Sequence, residues 1–137
     1  MTTEANNTTE RKALNLVQRI VANRLENENG KIQENMKALG EDFTYYLGWK
    51  CEDIYKRHLL RNFYRDMLTQ LAHPDTTEEN AKEYLRHTVE HLADDILHGS
   101  PTRHSTNAIE NLAHTWEFET KQEMYNIAVG LHSQFED

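Results

Sequence analysis

The sequence predicts an all-α protein, a single-domain bundle of four to five helices with antiparallel neighbours. Three observations predict it. Apolar residues recur at three- and four-residue spacing along most of the chain, which is the period of an amphipathic helix. The two prolines and most of the five glycines fall between these periodic stretches, as punctuation between helices does. No stretch alternates apolar and polar residues in the manner of a half-buried strand. A chain of 137 residues with 37% hydrophobic content suits one domain. Its mean hydropathy of −0.87 is low, so the core is expected to be thin and completed by association with a second copy or a partner. Residues 1–8 read as a flexible N-terminal tail and 9–137 as the bundle.

The first helix, residues 9–28, opens at Thr8 or Thr9 as N-cap and carries Ala13, Leu14, Val17, Ile20, Val21 and Leu25 on one side. Gly30 suits the left-handed position that ends a helix. A second helix starts near Lys31 with the narrow seam Ile32, Met36, Leu39, Phe43 and Tyr46. Beyond Gly48 the apolar side moves to Trp49, Leu60, Phe63, Met67 and Leu71. That rotation predicts a kink or short break near Gly48, since glycine costs ~1 kcal/mol inside a helix. His73-Pro74-Asp75 ends this stretch, and Thr76 with Glu79 forms a capping box that starts the next helix. That helix, 77–98, faces inward through Ala81, Leu85, Val89, Leu92 and Ile96 until Gly99-Ser100-Pro101 stops it. The last helix, 106–134, buries Ile109, Leu112, Ala113, Trp116, Met124, Ile127 and Leu131.

Charge divides the chain unevenly. Residues 1–69 hold 11 Lys/Arg against 10 Asp/Glu, residues 70–137 hold 4 against 13, and the formal net charge is −8. Seven of the eight histidines also lie in the acidic half. An acidic domain is a poor match for phosphate backbones, so nucleic acid is an unfavoured partner. The single Cys51 rules out an intramolecular disulfide and fits a reducing compartment. With no basic, apolar leader and no run of ~18 apolar residues, the expectation is a cytoplasmic protein that does not span a membrane.

Several constellations bear on chemistry. His87, His91, Asp94 and His98 fall at i, i+4, i+7 and i+11, one stripe opposite the apolar side. Helical i, i+4 histidines suit a divalent transition metal, which makes these four the metal candidates. A solvated or partner-contacting face is the plainer reading, and no cofactor is expected. Glu110, His114 and Glu117 form a second, lesser candidate set, and Cys51 with His58 is a conceivable thiol-imidazole pair. Arg57, Arg61 and Arg65 share one stripe of the basic half, suited to pairing with acidic surface in the same or another molecule.

Two resemblances attach to the His-rich helix. His87-Thr88-Val89-Glu90-His91 resembles the H-x-x-E-H pattern of inverted zinc peptidases, which implies two zinc-holding histidines and a water-activating glutamate. Arg86 and His91, with four residues between them, resemble the R-x4-H signature of HEPN-type ribonucleases. That resemblance implies a small all-helical dimer whose arginine and histidine meet at a cleft and assist attack by the RNA 2′-hydroxyl without metal.

The leading expectation is a non-enzymatic protein-protein interaction module, an adaptor, assembly factor or inhibitor. It would act through an acidic, His-rich surface that includes Glu83, Glu90, Asp94 and Asp95, with Arg57, Arg61 and Arg65 as further partner-contacting residues. The partner would be a protein with a basic surface, and the chain a homodimer. The alternatives are the metal-free ribonuclease of Arg86 and His91 and a metal-binding or pH-responsive helical protein. Protonation of all eight histidines would bring the formal charge of −8 to about zero.

Overall fold

The apolar stripe that begins at Leu14 does not stop at Gly30. In the computed structural model, which describes residues 11–135, one helix, α1, runs Lys12–Glu41 and carries Leu14, Val17, Val21 and Ile32 on its buried side. Gly30 is an interior helical residue with open space where a Cβ would stand, and no described glycine has a positive φ. The sequence reading of Gly30 as a terminator is corrected here. Continuous packing on both sides of it outweighs the ~1 kcal/mol that glycine costs in a helix. The tail, the Thr8 or Thr9 cap and residue 9 as a helix start lie outside the described residues.

The reversal comes at Asp42. Its backbone leaves the helical region (φ −145°, ψ 78°), its N–H donates to Ala38 O at 3.0 Å, and its side chain accepts from Tyr45 N–H at 3.3 Å. One residue thus closes α1 and caps α2, Phe43–Leu71. The break lies at Asp42 rather than Gly48, which sits inside α2, so the seam read from Ile32 to Tyr46 is cut in two: Ile32, Met36 and Leu39 belong to α1, and Phe43 and Tyr46 to the antiparallel α2. The pairing is set by Gln18 Nε2, which donates to Leu71 O, and by Arg57 Nη1, 3.7 Å from Glu28.

The third helix, α3, runs Glu78–His98, and its N-cap is Thr77, whose Oγ1 accepts from Asn80 N–H at 3.1 Å. Thr76 instead donates to Gln70 O at 2.7 Å and ties the turn to the end of α2, so the predicted Thr76–Glu79 box gives way to a simple N-cap one residue later. Glu78 also accepts from Leu14 N–H at 3.1 Å, meeting one of the open donors in the first turn of α1. Gly99 ends α3 of necessity: a Cβ there would lie 2.5 Å from Asp95 O and 3.0 Å from Phe118 Cε2. The fourth helix, α4, runs Ala108–His132 from the N-cap Asn107 and is followed by a 3-10 turn, Ser133–Phe135.

Consecutive helices are antiparallel, yet α2 also packs on α4, and those two run parallel. Tyr55 stacks on Trp116 with ring centroids 5.6 Å apart and donates to Glu117 at 2.6 Å, while Lys56 meets Glu119 at 3.1 Å. At the other end Leu71 and Leu131 share one cluster with Leu14, Val17, Val21, Leu60, Tyr64, Met67, Ala81 and Leu85. Each large aliphatic side chain buried there contributes ~1.5–3 kcal/mol. This core occupies the end where α1 starts and α2 finishes. Five residues expected on apolar seams, Met36, Phe43, Trp49, Ile109 and Leu112, are exposed at the opposite end, because the helices that carry them run past the last element that covers them. No strand occurs among the described residues, and no described helix is long and apolar enough to cross a membrane.

Candidate interaction surface

The stripe opposite the core of α3 faces outward as its spacing requires. The side chains of His87, His91, Asp94 and His98 are all largely exposed. Each imidazole has a carboxylate one turn away: His87 with Glu83 at 3.5 Å, His91 with Asp95 at 3.5 Å, and His98 with Asp94 at 2.9 Å. His87 turns toward the start of the helix and His91 toward its end, so the two rings point away from a shared ion. Among the described residues no group of three His, Cys, Asp or Glu side chains converges as a metal site would.

Arg86 sits at the side of this face, held by two carboxylates. Its Nη2 and Nε donate to Glu83 at 2.7 and 3.2 Å, and its Nη1 donates to Glu90 at 2.6 Å. These bonds raise the guanidinium pKa, and the hydrogen bond from Arg86 holds the Glu83 carboxyl below the usual carboxylate range. The i, i+3 and i, i+4 spacing of Glu83, Arg86 and Glu90 is a legible helical pairing signal. Five residues along a helix separate Arg86 from His91 by about 140°, so the two do not share a face. An RNA phosphate would need Arg86 released from both carboxylates and would meet Glu83 and Glu90 in their place.

Glu83 and Glu90 together outnumber Arg86 by one charge, and with Asp94 beside His98 they leave this face net negative, while Lys121 approaches Asp95 at 3.4 Å from α4. Beside them, Ala93, Ile96 and Leu97 of α3 and Tyr125 of α4 line a shallow apolar groove. The surface offers acid, imidazole and some apolar area together, which suits recognition of a basic amphipathic partner.

The arginine stripe plays a smaller part than its spacing suggests. Arg57 is half-buried beside Glu28, Arg61 Nε donates to Asn62, and Arg65 pairs with its neighbour Asp66 at 3.6 Å. The link between the two halves of the chain runs through Lys56 and Tyr55. Burial pulls the Lys56 pKa down, yet Glu52 at 2.9 Å and Glu119 more than offset it and raise it overall. The hydrogen bond to Glu117, and then burial, push the Tyr55 phenol up to about 12. The Glu110, His114 and Glu117 set is dispersed: Glu110 pairs with Arg103 at 2.7 Å, His114 bonds Ser100 O at 2.8 Å, and Glu117 accepts from Tyr55.

No family model, curated protein or solved structure matches this chain. The functional reading therefore stands on the site itself.

Proposed function

We propose that this chain is a non-enzymatic protein-interaction module of the cytoplasm, working as a homodimer, that docks a basic protein surface on the outer face of α3. The observation that supports it is the exposure of Glu90, Asp94 and the three histidines on a helix of the half that carries 13 acidic against 4 basic residues. A potential of one sign spread along a helix steers and orients a basic partner more than it holds it. The clamp on Arg86 weighs against the ribonuclease alternative.

The test is titration with a defined Lys-rich amphipathic helical peptide at rising salt. Binding is expected at low salt, to weaken as salt rises, and to fall at least ~10-fold when Glu90→Lys and Asp94→Lys reverse two charges. Binding unchanged in molar salt defeats the reading. So does cleavage of single-stranded RNA that Arg86→Ala or His91→Ala removes.

A further inference from the structure

Above Tyr55 the molecule is a bundle with its fourth helix missing. Helix α3 ends at His98 with Gly99 packed against Phe118 of α4. The chain then follows the polar side of α4, where Ser100 O bonds His114, Pro101 O accepts from Thr115 at 2.6 Å, and Ser105 bonds Asn111. Helices α1, α2 and α4 continue without it.

Their inward stripes continue too. Eleven residues on an α-helix make three turns and return to nearly the same direction. Trp49 stands three turns before Leu60, which is 9% exposed, yet Trp49 is 77% exposed. On α4 the relation repeats: Ile109 stands three turns before Thr120, which is 1% exposed, and is itself 78% exposed. The parallel register of α2 and α4, set by Tyr55 with Glu117, brings both residues to the same end of the molecule. Met36, Phe43, Tyr45, Leu47 and Leu112 are exposed around them. Trp49 and Ile109 are core positions without a covering element, with Tyr45 and Leu112 within a quarter-turn of the same stripes, whereas Phe43 and Leu47 lie about 100° and 140° around α2 from Leu60.

We propose that this open end is the interface of a homodimer, with a second copy of the chain covering Trp49 and Ile109 end to end. It rests on the homodimer part of the reading above and assigns its surface. At ~150–250 Å² per aromatic side chain, Trp49 and Ile109 with Tyr45 and Leu112 make roughly 600 Å² of largely apolar area, what each partner contributes at the low end of specific interfaces, ~1,200 Å² in total. That is at the top of the ~300–600 Å² of a typical monomer's largest patch. Charge also points to a second copy. A twofold interface needs both signs in one patch, and this end carries Lys37 and Lys50 beside Glu41, Asp42 and Asp53, whereas α3 would repel its own copy. The same carboxylates oppose insertion into an anionic bilayer.

The experiment is sedimentation equilibrium of the full chain over a wide dilution series, with helicity and thermal unfolding recorded in parallel. A dimer that dissociates on dilution is expected, and Trp49→Glu with Ile109→Glu should raise its dissociation constant at least ~100-fold while helicity is kept. If the glutamates disturb folding, Trp49→Ala with Ile109→Ala reads the same contact. Asp94→Lys on α3 is the control that should leave the dimer intact. A wild-type monomer at every concentration overturns both the dimer and its interface. A dimer indifferent to the paired substitutions overturns the interface alone, and a wild-type monomer that sediments with phosphatidylserine vesicles through Trp49 overturns both.

Discussion

Tyr55 shows how much one side chain can join. It stacks on Trp116, donates to Glu117 and stands next to Lys56, which bridges Glu52 and Glu119. Its folded pKa is raised from 10.0 to about 12, so the unfolded chain loses this proton first as pH climbs. The stability it confers is therefore fully present below pH 10 and declines as pH rises through about 12. Tyr55→Phe is expected to cost ~1 kcal/mol at neutral pH and to flatten part of the alkaline decline. Urea unfolding at pH 7 and at steps from 9 to 12 checks both. Some decline should remain, because burial also raises the Tyr64 and Tyr84 pKa values.

The elements differ from their sequence expectations mainly at their ends. Gly30 and Gly48 both suggest breaks, yet both lie inside helices, and the chain reverses at Asp42. Aspartate is a strong N-cap former, so the signal was present, but Thr44 and Tyr45 around it resemble helix interior as readily as helix start. A direct check follows at Gly30, where open space meets an added methyl group. Gly30→Ala should raise stability by ~0.5–1 kcal/mol in urea unfolding, as an interior helical site does. A loss of stability would return Gly30 to the role of a helix end.

At the scale of the whole molecule the two proposed surfaces, docking on α3 and dimerisation at the open end, would respond to salt in opposite senses. Docking on α3 is attraction between unlike charges and weakens as salt screens it. Association through the open end buries apolar groups while two copies of a chain with net charge −8 repel, so screening strengthens it. Between low salt and several hundred millimolar, the dimer dissociation constant is expected to fall while that for the basic peptide rises. Sedimentation equilibrium and peptide titration on the same preparation measure the two, and parallel changes would mean that one surface serves both.

The sequence by itself determined the all-helical class, the inward stripes that begin at Leu14 and Ala81, the outward stripe of His87, His91, Asp94 and His98, and the concentration of acid around it. These follow from local period and composition, which a single chain carries in its own spacing. Only the tertiary structure decided that Glu83 and Glu90 close on Arg86, that Arg57 pairs within the first hairpin, that α2 and α4 run parallel, and that Trp49 and Ile109 are left uncovered. The physical reason is that a periodic apolar stripe fixes which side of a helix seeks burial, while whether anything lies opposite depends on the lengths and register of other helices far away in sequence.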